Sequence, residues 1–375
     1  MLTYHQKAQI LARNGYDEQL YENAVAPPIF QTVNFCYGEN IDGKYRYTPS
    51  GNPTMSIVSE KLAAVESGKT AKLFSTGMAA IHAVFLNFLQ FGDHIIVSNS
   101  VYHESFKFLK IMEDKFGIKV TEVSGEANTI ETAVTDATKM IFIESPSSKF
   151  FDILDLEAIG NIGKRRHIML VIDNTWATPM FQNPLLYGFN LVIHSTTKYM
   201  SGHNDISGGA VIGSKALIER LNGMGASMDP HQAWLLNRSL MTLPMRMTFL
   251  MESAMQVAEF LESHPKIEKV LYPGLPSHPQ YQLGKRQMTG YSSLFSFFTK
   301  GSYEQSLQVM NRFKLIKQAW SYGGPTSLIM HNGYWFRSEL QRRGYSQNFL
   351  RLHVGFEDPA ELIADLDHAL QAIDL

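Results

Sequence analysis

LVIDNTWATPMFQNPLLYGFNLVIHSTTKYMSGHNDISGG, residues 170–209, decides the fold. It holds two apolar, β-branched runs. The first ends at Asp173, and the second, Leu191-Val192-Ile193-His194, leads into Ser195-Thr196-Thr197-Lys198. Short apolar runs that end in polar residues read as buried parallel strands. Open α/β sheets bind ligands at the C-terminal ends of such strands. One carboxylate, two or three hydroxyls and one amine are thereby delivered to a common crevice. That set suits a phosphorylated aldehyde cofactor: the lysine forms a Schiff base, the hydroxyls bond a phosphate, and the aspartate pairs with a protonated pyridine nitrogen.

The same rhythm extends outward. His94–Ser98, Lys119–Val123 and residues 140–144 and 168–173 read as strands, with helices over 105–115 and 154–164 between them. This alternation predicts a mostly parallel sheet covered by helices. Upstream, a helical pattern starts at Thr54, and Phe74-Ser75-Thr76-Gly77-Met78 opens a second helix that continues to Phe88. A long helical stretch over about 232–262 crosses to a smaller unit, with strands over 292–299 and 349–354 and a closing amphipathic helix over 359–373. The expected division is an arm over 1–50, a large cofactor-binding domain over 51–235 and a C-terminal domain over 236–375. The arm ends in a turn-rich aromatic loop over 43–53.

Composition excludes several classes. The 375 residues are 45% hydrophobic, enough for a large core and two domains. With 33 basic and 35 acidic residues the net charge is -2, so nothing draws the chain to nucleic acid or an anionic membrane. A single cysteine, Cys36, rules out an intrachain disulfide and a cysteine-rich metal site, and fits a cytoplasmic location. The N-terminus lacks an apolar signal core, and no run approaches a membrane span. His194, His203 and His231 are scattered, so no metal is expected. No Gly-x-Gly-x-x-Gly follows a predicted strand, which argues against a nicotinamide-dependent dehydrogenase. The 18 methionines and 23 phenylalanines suggest large apolar contacts between subunits.

Seven pieces occur in one order along the chain: Tyr47 with Gly51-Asn52-Pro53-Thr54, Ser75-Thr76-Gly77-Met78, Tyr102, Glu144-Ser145-Pro146, Asp173-Asn174-Thr175, Ser195 to Gly202, and Arg351-Leu352-His353. In these the chain resembles the cysteine/methionine-metabolism enzymes that use pyridoxal 5'-phosphate (PLP), the cystathionine synthases and lyases and methionine lyase. The resemblance implies an aspartate aminotransferase-like PLP-transferase of fold type I. That is an α/β fold with a mostly parallel seven-stranded sheet flanked by helices and a smaller α+β C-terminal domain.

On the residues alone, Lys198 is either a surface lysine or a catalytic one, and Asp173 either a turn residue or a cofactor ligand. The resemblance implies the second reading of each. It makes Lys198 the Schiff-base lysine and later general base, and Asp173 the partner of the pyridinium nitrogen. It places Ser195, Thr197 and the backbone amides of Gly77 and Met78 on the phosphate. It stacks Tyr102 on the ring, with a part in proton transfer, and puts Arg351 on the substrate α-carboxylate. Ser321 and Tyr322 face the substrate, and His353 is structural. Tyr47 reaches the phosphate of a neighbouring subunit, which implies a dimer with shared active sites and a dimer of dimers.

Some positions depart from the family pattern. Pro49 stands where an arginine usually contacts the phosphate, and Arg46 is the expected substitute. Ser148-Lys149 replaces a common Asn-Pro. Trp320-Ser321-Tyr322-Gly323-Gly324 and Asp173 to Ala177 match bacterial cystathionine β-lyases, whereas Pro325-Thr326 departs from the usual continuation. His103-Glu104 replaces the cysteine that marks methionine γ-lyases. The expected activity is a carbon–sulfur lyase that splits a cystathionine-like amino acid by β-elimination into a thiol, pyruvate and ammonia. The alternatives are γ-elimination or γ-replacement on the same scaffold, and a catalytically silent PLP binder.

Overall fold

The computed structural model describes residues 2–374 except Asn40, Asp42 and Met224. Seven strands form the larger sheet: β1 (Thr70–Phe74), β2 (His94–Ser98), β3 (Lys119–Val123), β4 (Thr138–Glu144), β5 (Met169–Asp173), β6 (Leu191–His194) and β7 (Gly209–Gly213). Their spatial order is β1-β7-β6-β5-β4-β2-β3. Only β7 runs against the others, pairing antiparallel with β1 and β6. The central strands are buried on both faces, which is why they read as unbroken apolar runs. The period of two sorts their side chains. Met140 and Phe142 pack with Val84 and Phe85 of the helix Gly77–Phe88. Ile141 and Ile143 pack with Leu156, Ile159 and Ile162 of the helix Leu156–Arg166 on the opposite face.

The second sheet holds β8 (Ile267–Leu271), β9 (Leu294–Thr299), β10 (Lys317–Gln318), β11 (Leu328–His331) and β12 (Phe349–His353), in the order β10-β11-β12-β9-β8. All its pairings are antiparallel save β10 with β11. A 34-residue helix, Pro230–Ser263, connects the two sheets. It starts two residues before the predicted boundary because Asp229 caps it, accepting from His231 N at 2.8 Å and Gln232 N at 3.3 Å, with proline in the first turn. Its buried side packs against Pro53–Val65, Tyr4–Arg13 and Pro359–Leu370.

The first helix of the expected arm, Tyr4–Arg13, sits on the chain's own core. Leu11 is fully buried, and the buried Lys7 donates to Met180 O at 3.0 Å. The rest of that stretch differs: Leu20, Val25 and Tyr37 are 72, 96 and 74% exposed. Among the described residues no helix is long and apolar enough to cross a membrane.

Candidate active site

A cavity of about 310 Å³ opens where the C-terminal ends of β4, β5 and β6 face the second sheet. Gly77, Met78, Tyr102, Asp173, Ser195, Thr197, Lys198, Ser321, Tyr322 and Arg351 all line it. Tyr47 and Arg46 do not. Tyr47 is 48% exposed, while Arg46 donates to Gly43 O at 3.2 Å and lies 5.4 Å from the centre of the Tyr37 ring. The substitute expected for the missing arginine is thus held within its own loop.

Lys198 Nζ donates to Ser321 Oγ at 2.7 Å and stands 5.0 Å from the centre of the Tyr322 ring. Burial lowers its pKa to about 8, the Arg351 charge adds to that effect, and Asp173 opposes it. Such an amine is part neutral at physiological pH, as a nucleophile or base must be. Ser321 has φ +88°, a left-handed conformation that costs a non-glycine residue energy and recurs at functional positions.

Asp173 ends β5 beside Glu144 at the end of β4, the two being register partners. Thr175 fixes Asp173 Oδ1 through its N–H at 3.0 Å and its hydroxyl at 2.5 Å. Thr175 Oγ1 in turn accepts Ser195 N–H at 2.8 Å, which ties the ends of β5 and β6 together. Glu144 accepts Tyr102 N–H and Ser148 N–H, each at 2.7 Å. Burial raises both carboxyls, and the Asp173 charge raises Glu144 further. Two adjacent buried carboxylates resist carrying two negative charges, so a cation placed against them is favoured. A protonated ring nitrogen is such a cation.

The other end of the cavity suits an anion. Gly77 opens the helix Gly77–Phe88, and the Thr76 hydroxyl caps it by accepting Ala79 N–H at 2.9 Å. A Cβ on Gly77 would lie 2.7 Å from Ser195 Cβ, so only glycine lets this helix N-terminus approach the serine. The first N–H groups of the helix and the Ser195 hydroxyl therefore meet in one cradle. Thr197 Oγ1 is also tied to Gly208, accepting its N–H at 3.0 Å. An amine, a carboxylate pair and an anion cradle along one cavity fit pyridoxal phosphate.

The wall opposite is held from β12. Arg351 donates to Ser148 O at 3.2 Å and lines the cavity, rather than facing solvent as its strand pattern alone would suggest. Burial drives His353 down to about 4, so its ring is neutral. Its Nε2 lies 2.9 Å from Gly324 O and 3.1 Å from Gly323 N, and its Nδ1 lies 3.1 Å from Ser293 Oγ. This histidine pins the Ser321–Gly324 turn onto Lys198.

Arg246, on the long helix, escaped sequence reasoning. Its guanidinium donates to Tyr199 O at 2.6 Å, Ser239 O at 2.8 Å and Met200 O at 3.3 Å, and so grips the segment that follows Lys198. No local pattern distinguishes it from the other polar residues of that helix. Glu144 escaped as well, although the strand-end rule that selects Asp173 applies equally to it.

Known proteins resemble this chain over nearly its whole length. The model of the Cys/Met metabolism PLP-dependent enzyme family matches residues 8–371. A cystathionine beta-lyase from Coxiella burnetii is 39% identical, over 92% of this chain and 93% of its own. An L-methionine gamma-lyase from Pseudomonas deceptionensis is 37% identical over 96% of each. The crystal structure of cystathionine gamma-lyase from Lactobacillus plantarum, complexed with L-serine, superposes with a TM-score of 0.92 at 31% identity, covering 98% of this chain and 99% of that one. With the fold, the cavity and these relatives in accord, the chain belongs to the PLP-dependent enzymes of cysteine and methionine metabolism.

Proposed function

We propose that this enzyme is a lyase that splits the Cβ–S bond of cystathionine-like amino acids by β-elimination, releasing a thiol, pyruvate and ammonia. The observation that carries the reading is Lys198, an amine of depressed basicity between the carboxylate pair and the Arg351 guanidinium. When bound, PLP supplies a carbonyl that captures amines and a protonated ring that draws electrons from the substrate Cα. Lys198 and Asp173 would hold it at the two ends of its ring, with Ser195, Thr197, Gly77 and Met78 around its phosphate and Tyr102 against its face. Arg351 would grip the α-carboxylate through its planar fork. Once the substrate amine has displaced it, Lys198 takes the Cα proton. Its ammonium then protonates the departing sulfur, and Ser321 Oγ keeps Nζ in position.

The β outcome is favoured by residues shared with bacterial β-lyases: Trp320 to Gly324, Asp173 to Ala177, and no asparagine at Ser148. A γ-elimination or γ-replacement reading draws on the equally close γ-lyase relatives and on Pro325-Thr326. The exposed Leu20, Val25, Tyr37 and Tyr47 support a homo-oligomer in which this arm covers, and completes, a neighbour's site. Unpaired Cys36 fits a cytoplasmic setting.

The test gives L-cystathionine to the PLP-reconstituted protein and identifies the α-keto acid. Pyruvate is expected. 2-Oxobutyrate would transfer the enzyme to γ-chemistry. A protein that shows the cofactor's bound absorbance yet releases neither acid, and no thiol from any thioether amino acid, would be a silent binder.

A further inference from the structure

Lys149 lines the same cavity, and none of the roles above uses it. It is 5% exposed. Its Nζ lies 5.7 Å from the centre of the Phe106 ring and 5.6 Å from that of Phe336. An ammonium carries three donors and is costly to bury without acceptors. Here the one hydrogen bond at Lys149 among the described residues falls on its backbone carbonyl, from Ser296 Oγ at 3.4 Å. Glu339 approaches Nζ only to 3.9 Å, and its other oxygen lies 3.6 Å from Arg343. Cation–ring contact favours the charge over the two phenyl faces but does not replace a hydrogen-bonded anion.

A second observation points the same way. Asn332 also lines the cavity, is 1% exposed, and its Nδ2 has no acceptor among the described residues. Its main-chain carbonyl accepts the N–H of Phe336 at 3.1 Å, so the ring beside Lys149 and this orphaned donor belong to one short segment. Arg351, meanwhile, bonds the carbonyl of Ser148, the residue before Lys149. The cavity wall thus offers two cations and a free amide, whereas an α-carboxylate answers only one cation.

We propose that Lys149, assisted by Asn332, recognises a second carboxylate carried on the departing thiol, so that the enzyme selects thioether amino acids with an anionic far end over neutral S-alkyl ones. The inference rests on the lyase reading for the position of that thiol.

The test uses an isosteric pair, S-(2-carboxyethyl)-L-cysteine and its uncharged amide S-(2-carbamoylethyl)-L-cysteine. Each is titrated into the holoenzyme as a competitor of the best sulfur amino-acid substrate. If no sulfur amino acid is turned over, their binding is measured by calorimetry instead, and only the lyase reading fails. A charge-assisted contact predicts that the carboxylate binds about ten- to a hundredfold more tightly. Lys149→Met should abolish that ratio while moving the amide's constant by less than about twofold. Lys149→Gln, which keeps a polar side chain without the charge, should do the same, and Lys149→Arg should retain the preference. Absence of a preference in the wild type would overturn the proposal. So would a preference that survives Lys149→Gln, or an equal loss for both ligands, the mark of a purely structural cation.

Discussion

Replacing Gly202 by alanine tests whether the Lys198 segment is held by Arg246. Gly202 has φ +68°, and an L-residue in the left-handed region costs about 1–2 kcal/mol. Its new Cβ would stand 2.0 Å from Arg246 Nη1 and 2.5 Å from Cζ. Arg246 is 7% exposed, and Nη1 cannot retreat without giving up its 2.6 Å bond to Tyr199 O. A buried carbonyl left without a donor costs about 1–3 kcal/mol. Gly202→Ala should therefore destabilise the protein by about 2–5 kcal/mol. In an Arg246→Met background no guanidinium opposes the methyl group, and the cost should fall to the left-handed penalty, about 1–2 kcal/mol. The two substitutions are thus non-additive by about 1–3 kcal/mol. The assay is urea unfolding of all four proteins at one protein concentration, with bound cofactor per chain measured alongside. A Gly202→Ala cost below about 1 kcal/mol, or the same cost in both backgrounds, would refute the reasoning.

Three further outcomes are expected. With the Lys198 amine near 8, its neutral share is about a tenth at pH 7, a half at pH 8 and nine tenths at pH 9. Cofactor capture by the apoprotein, followed by absorbance, should rise through pH 8 and level by pH 9, whereas an ordinary lysine would still gain about sevenfold from pH 9 to 10. Asp173→Asn removes the charge assigned to the ring nitrogen and should lower kcat about 10²–10³-fold, by analogy with the loss of a preorganised electrostatic contact, while thermal stability changes little. If Tyr47 completes a neighbouring site, mixing inactive Lys198→Ala with impaired Tyr47→Ala under subunit exchange should restore activity through hybrids that hold one intact site; mixtures no better than their average would exclude sharing.

The parts of the fold that were legible are those whose signal is local. β2, β5 and β6 are short apolar runs ending in polar groups, and Lys198 and Asp173 stand at their ends. β7 lay hidden because Gly209 and Gly213 bound it and read as a loop. Its register explains both glycines: a Cβ on Gly209 would lie 2.3 Å from Thr76 O, and one on Gly213 would lie 2.7 Å from Leu191 Cδ2. β1 is equally short, with a lysine in its middle. Arg246 acts through Tyr199 and Met200, distant in sequence, so nothing near it announces its role. Arg351 was legible only through the family resemblance, since an arginine on an alternating strand ordinarily faces water. Within the stretch read as an arm, the polar composition of the first helix conceals Leu11 and Lys7, its two buried residues.

The cavity wall draws on residues from Thr76 to Arg351, so nearly the whole chain must be in place before amine, carboxylate pair and guanidinium face one another. Contacts that close such long loops form late, after the entropy of bringing their ends together has been met. A strand pair such as β4 and β5 can assemble early and bring Glu144 beside Asp173. Ser321 reaches Lys198 only when β12 has docked and His353 has fastened the turn before it. Cofactor capture is therefore among the last events of maturation, and the colour of the bound cofactor reports completed folding of the whole chain.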